Sequence, residues 1–183
     1  MATQGWAETL ITAQSDGTAN TAGTAASAIP AAAKYTLPAN FFSIGKQLLI
    51  VAHGRISTAI TTPGTPQWDV RFGATVVFDG LAMLADTVAA HSTKPWYLEI
   101  LLTCRSIGTA ATLMGVGKFT SEVVRGSGTM PLGVLTAMLP WNTAPAVGNT
   151  FDSTATQTVD LFFTQSVGTG SMTLHQYSLI SLN

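Results

Sequence analysis

The stretch Pro95–Ile107, PWYLEILLTCRSI, decides the fold. Taken in steps of two, Trp96, Leu98, Ile100, Leu102 and Cys104 fall on one side, and Tyr97, Glu99, Leu101, Thr103 and Arg105 on the other. Side chains of a β-strand alternate between faces, so this is a strand with an apolar inner face and a mixed outer one. Burying its four large inner side chains, at roughly 1.5–3 kcal/mol each, contributes on the order of 6–12 kcal/mol. No other stretch offers as much, which places it in the middle of a sheet.

On either side of it the chain reads as more short strands. Gln47–Thr58 (QLLIVAHGRIST) sets Leu48, Ile50, Ala52 and Ile56 on one face and Gln47, Leu49, Val51, His53 and Arg55 on the other, with Gly54 marking a bulge or a close backbone approach. Thr61–Pro66 is a loop, and Gln67–Phe78 holds two strands broken at Gly73, with Trp68, Val70 and Phe72 inward. Asp79-Gly80 is a turn. Leu81–Ala90 has the spacing of a helix at Leu81, Leu84, Ala85 and Val88 but no strong cap, so a short strand ending in Thr87–Ala90 fits equally. Ala111–Val124 returns as the partner of the central strand. Pro131–Gly148 is an apolar, proline-punctuated loop, and Thr158–Val167 and Ser171–Leu182 read as a hairpin about Gly168-Thr169-Gly170. The expected fold is all-β: an antiparallel two-sheet β-sandwich, jelly-roll-like, over residues 35–183.

Residues 1–34 read differently. A short strand at Glu8–Thr12 precedes QSDGTANTAGTAASAIPAAA, a run of small residues that cannot bury enough apolar area to offset its own ordering. The segment is either a loose tail or an extended N-terminal arm ordered on a neighbour; Trp6, Leu10 and Ile11 favour the arm as apolar anchors.

Charge excludes several classes of function. The 183 residues include 8 basic and 9 acidic side chains, for a net charge of -1, and charged residues are 9% of the chain. A nucleic-acid binder would carry a basic stripe and a polybasic membrane anchor a cationic cluster; neither is present. The surface must be wetted by Thr, Ser, Gly, Asn and Gln, which gives little protection against self-association and suits a chain covered by partners. No basic-then-apolar leader marks secretion, and the proline- and glycine-broken run Gly126–Thr150 is no membrane span, so synthesis and assembly in the cytoplasm are expected. Cys104 stands alone and closes no intrachain disulfide.

Catalytic patterns are missing. There is no G-x-S-x-G, and Ser127, between two glycines, has no companion motif. His53, His91 and His175 are dispersed; His53 and His175 sit mid-strand opposite the main apolar sets, where a solvent-facing or interface role outweighs a metal site. Gly115-Val116-Gly117-Lys118 fails as a phosphate loop, with Thr112 at the first glycine position and Phe119 after the lysine. Asp16, Asp79, Asp86 and Asp152 read as turn residues, and Asp69 and Glu99 as outward partners of Arg55, Arg71 or Arg105 across strands. Cys104 faces the core as an inert thiol. No enzyme activity, cofactor or metal is expected.

Aromatics off the inward period are Trp6, Trp141 and Tyr177, with Phe162 opposite Phe163. Protein interfaces or sugar stacking are built from such residues, interfaces more often. The residues expected at an interface are Trp6, Leu10 and Ile11 in the arm and Leu132, Leu135, Met138 and Trp141 in the apolar loop.

The run LPANFFSIGKQLLIVAHGRIST (Leu37–Thr58) resembles a pattern of tailed-bacteriophage virion structural proteins: a proline turn at Pro38, Gly45-Lys46, then a strand ending in Ala52, Gly54, Ile56 and Ser57. The strand before Arg105 and the finish Leu174–Ser178 are similar to the same group. The resemblance implies a virion component with a jelly-roll body, a capsid decoration or fibre-like protein, assembled as a homotrimer on the major capsid protein or other virion proteins, and implies no catalytic residue. The alternative is a receptor-binding or tail-fibre module that grips a host surface glycan with loop aromatics such as Trp141.

Overall fold

A computed structural model describes residues 6–125 and 135–182. Pro95–Ser106 falls inside the longest strand, β7 (His91–Ser106), fourth in a six-stranded sheet. That sheet runs β1 (Ala7–Thr12), β11 (Ser171–Leu182), β4 (Gln47–Thr58), β7, β8 (Thr112–Ser121) and β9 (Leu135–Leu139). The second sheet runs β2 (Ala26–Ser27), β10 (Gln157–Thr164), β5 (Gln67–Phe72) and β6 (Thr75–Asp79), with β3 (Tyr35–Leu37) also on β10. Every strand pairing among the described residues is antiparallel. The first strand lies beside the last in one sheet, and the second and third beside the last but one in the other. That is the wrapping of a jelly roll, extended at one side by β8 and β9, so the all-β antiparallel sandwich is the fold of this chain.

The alternation read in the sequence builds the core. Trp96, Leu98, Ile100, Leu102 and Cys104 are all buried, beside Leu48, Ile50, Ala52 and Ile56 of β4. Trp68, Val70, Phe72, Val159, Leu161 and Phe163 meet them from the second sheet. The Trp68 ring is the hub, with centroids of Phe163 at 4.8 Å, Trp96 at 4.9 Å and Phe119 at 5.9 Å. Offset and tilted contacts of this kind add to the area buried.

Several expectations change. No helix forms at Leu81–Ala90: the chain there is irregular, tied down by Met83 N–H to Pro66 O at 2.8 Å and by an isolated bridge from Ala85 to Val124. The last two strands are no hairpin. β10 and β11 lie in opposite sheets, because each buries its apolar side in the common core and the link through Gly168–Gly170 carries the chain from one layer to the other. The apolar loop 131–148 contains the edge strand β9. Tyr177 is buried, since a bulge between Leu174 and Gln176 reverses the parity of β11, and Met172 and Leu174 face inward before it, Tyr177 and Leu179 after it.

Residues 6–34 find cover on their own chain. β1 pairs with β11, Asn20 bridges Met172, β2 pairs with β10, and Ala28, Ile29 and Ala33 belong to the core. The small-residue run follows the body closely: Gly17 lies against the backbone of Ala28, where a Cβ would collide with the carbonyl oxygen. A segment too poor in apolar area to fold alone is ordered by lying on a preformed sandwich. Asp160 of β10, nearly buried, clamps it by accepting from Ser27 Oγ at 2.6 Å and pairing with Lys34.

Candidate functional site

The side chains that the core does not use are arranged in rows across the outer face of the six-stranded sheet. The registers set Ile180 opposite Leu49, Leu49 opposite Leu101, and Leu101 opposite Val116. Four aliphatic side chains from β11, β4, β7 and β8 thus form one continuous row, only partly shielded by their neighbours. The next row sets Ser178, Val51, Glu99, Lys118 and Met138 side by side. The row after that holds Gln176, His53, Tyr97, Thr120 and Thr136. Directly opposed residues in antiparallel strands have Cβ atoms about 5 Å apart, so each row is a contiguous strip.

At the middle of this face the charges are paired, while Arg55 and Arg105 stand exposed toward its two ends. Lys118 Nζ is 3.3 Å from Glu99 Oε2, and Tyr97 donates its hydroxyl proton to the same oxygen at 2.5 Å. The Tyr97 hydrogen bond, with Lys118 beside it, holds the Glu99 carboxyl below its usual range, and the same bond raises the Tyr97 phenol to about 12. The ion pair is cross-strand, as expected for Glu99, but its partner is Lys118 of β8 rather than Arg55, Arg71 or Arg105, because the β7–β8 register sets Lys118 directly opposite. Asp69 differs: it is buried, and its partner is Arg71 on its own strand, at 2.9 Å, rather than a neighbour across the sheet. Burial pushes its carboxyl upward against the pull of Arg71.

A second cluster gathers at the base of β7. Asp86, read in the sequence as a turn residue, is 1% exposed at its side chain; its oxygens receive Val88 N–H at 2.9 Å and lie 2.9 Å from His91 Nε2 and 3.1 Å from Arg125 Nε. Nothing in the local sequence marks this burial, because Arg125 arrives from the far end of the β8 segment. The cluster is an ion-paired clasp holding the loop 80–90 to the sheet. Among the described residues, no group of three or more His, Cys, Asp or Glu is placed to hold a metal ion. His53 instead stacks edge-on against Tyr97, ring centroids 4.9 Å apart, and His175 at the bulge pairs with Asp16 at 2.9 Å. No described helix is long and apolar enough to cross a membrane.

The expected interface residues scatter. Trp6 and Met138 are each 66% exposed, Trp6 ahead of edge strand β1 and Met138 on edge strand β9. Leu10 and Ile11 are half-buried against the core of their own chain, and so is Trp141, whose backbone N–H donates to Gly80 O at 2.8 Å. Leu135 pairs through its backbone with Ser121. Leu132 and Ser127 lie outside the described residues. The aliphatic row of the outer face escaped the sequence reading, although alternate positions in four successive strand segments carry the signal. A concavity of about 240 Å3 at the His53–Tyr97–Thr120 row, lined also by Trp96 and Glu122 among others, combines aromatic and polar groups.

Comparison with family models, with curated proteins and with solved structures returns no match.

Proposed function

We propose that this chain is a structural protein of a tailed-bacteriophage virion, of the capsid decoration or cement type, that acts by binding the capsid shell and copies of itself as a homotrimer. The observation that carries the adhesive reading is the outer face of the six-stranded sheet: a continuous aliphatic row on a chain with few charges, beside charges already paired with one another. A face of this kind costs little to cover and is poorly protected against association when bare. The virion assignment itself is supported by the resemblance of Leu37–Thr58. The role is non-enzymatic, with no cofactor, no nucleic acid and no membrane partner, and its place is the virion assembled in the host cytoplasm. Many such weak contacts repeated over a shell add up to a stable particle.

The alternative, a receptor-binding or tail-fibre module for a host surface glycan, is favoured by the concavity around Tyr97 and Trp96 rather than by Trp141, which is packed on the core. Co-sedimentation separates the readings. The purified protein is expected to pellet with empty capsids of its phage and not with host cells. Pelleting with host cells alone, released by free sugar, overturns the decoration reading in favour of the second.

A further inference from the structure

We infer that the outer face of the six-stranded sheet is the surface through which copies of this chain pack on one another, with the row Ile180, Leu49, Leu101 and Val116 at its centre. The inference rests on the self-association half of the proposed function and assigns it to one surface.

Size supports a second copy as the occupant. Six strands spaced about 4.8 Å apart, at about 3.3 Å per residue along the strand, present roughly 1,000 Å2 of sheet face. A standard stable interface covers about 800 Å2 on each partner. The long members β4 and β11, with 12 residues each, and β7, with 16, hold the face open along its middle. Side chains standing on two such faces interdigitate at about 10 Å, as the layers of a sandwich do.

Charge supports the same occupant. Unpaired charge at the centre of a face would repel its own copy. Here Glu99 and Lys118 neutralise each other beside the row, and Tyr97 supplies Glu99 with a further donor. Both charges therefore keep a partner when water leaves, which limits the penalty of covering them. The remaining cations of the face, Arg55 and Arg105, are exposed toward its opposite ends, away from the row, where they keep their water. The exposed Val116 and Met138 extend the apolar strip to the β8–β9 side, and Val51, Met114 and Leu182 stand in the neighbouring rows. In the proposed trimer three copies turn this face to a common axis; a measured dimer, two copies face to face, keeps this inference and replaces the trimer of the proposed function.

The test is sedimentation equilibrium of the full chain, wild type against Leu101→Glu, with Ile44→Glu as control because Ile44 is exposed in the turn before β4 and belongs to none of the rows of the face. Wild type and the control are expected to associate, and Leu101→Glu to weaken association at least about tenfold while its far-ultraviolet spectrum is unchanged. If Leu101→Glu fails to fold, the pair Leu101→Thr with Val116→Thr, which suits strands, takes its place and is expected to weaken association in the same direction. A wild type that associates equally with these variants overturns the inference and leaves the proposed function standing. A variant that still self-associates but no longer pellets with capsids assigns the face to the shell and likewise overturns it. A wild type that stays monomeric throughout removes the self-association reading and this inference together.

Discussion

Gly54 lies under the indole of Trp96: a Cβ built on Gly54 would sit 2.6 Å from Trp96 Cζ2 and would strike the carbonyl oxygen of Thr173 on the neighbouring strand. The absence of a side chain at this one position lets β4, β7 and the bulged segment of β11 close around the Trp96 ring. Gly54→Ala must therefore move either a backbone carbonyl or an indole that stacks on Trp68. Overpacking that cannot relax into solvent costs about 3 kcal/mol. Urea unfolding monitored by tryptophan fluorescence should show that loss with an unchanged slope, and a change below about 0.5 kcal/mol would contradict the close approach.

The Asp86 clasp makes a pH prediction. Burial alone would raise the Asp86 carboxyl, but the Val88 N–H, His91 and Arg125 outweigh it and hold the carboxyl below its ordinary value. A carboxyl whose folded pKa is depressed stabilises the fold above its unfolded pKa of about 3.9, and the contribution disappears as pH falls through the folded value. Asp86→Asn keeps the shape and removes the charge. At neutral pH it should cost roughly 2–3 kcal/mol, somewhat under the value for a fully buried pair because Arg125 retains some water. Wild type minus variant stability should then shrink below about pH 4. Taking the difference removes the contribution of Asp69, whose raised carboxyl acts in the opposite sense.

How far the sequence speaks for the fold is clear from particular residues. Trp96 through Cys104 and Leu48 through Ala52 obey a period of two, and period is a local property, so their burial could be read directly. Tyr177 could not, because one extra residue at the bulge reverses every later side chain, and a bulge depends on the partner strand. Gly168–Gly170 permits a tight turn as well as a step between layers; only the choice of pairing partner separates them. Leu49 and Leu101 were visible on outward positions, but Ile180 lies past the bulge, and the alignment of these residues with Val116 into a row needs the registers of three strand pairs. Asp86 looked like a turn residue since its cation lies at the other end of a hairpin.

Cys104 supplies a chemical readout of the core. It is fully buried in β7, and burial pushes its thiol above the ordinary value against a smaller opposing pull from the Ser106 backbone, while the S–H donates weakly to Ser106 O at 3.4 Å. Neither access nor thiolate is available in the folded state. A disulfide reagent such as Ellman's should leave native protein unmodified at pH 8 over hours and label one thiol per chain in denaturant. Rapid labelling of native protein would mean that the sheet opens around β7 on that timescale.

The leader gives the prediction with the most direct bearing on function. An arm that reaches for a neighbour can be removed without harm to the body. The residues here are instead part of it: β1 closes one edge of the six-stranded sheet, Ala28, Ile29 and Ala33 fill the core, and Ser27 helps satisfy the buried Asp160 carboxylate. Deleting residues 1–33 uncovers apolar area, frees the edge of β11 and leaves Asp160 with Lys34 as its remaining clamp. The combined loss, above about 5 kcal/mol, is of the order of the whole stability of an ordinary domain. The truncated chain should therefore lose cooperative thermal unfolding and expose hydrophobic surface to a dye such as ANS. A truncated protein that melts cooperatively near the wild-type temperature would show that the leader is an appendage after all. Trp6→Ala provides the complementary case: with its side chain two-thirds exposed, it should leave the melting temperature within about 1 °C, so any loss of shell binding it causes can be read as a contact and not as unfolding.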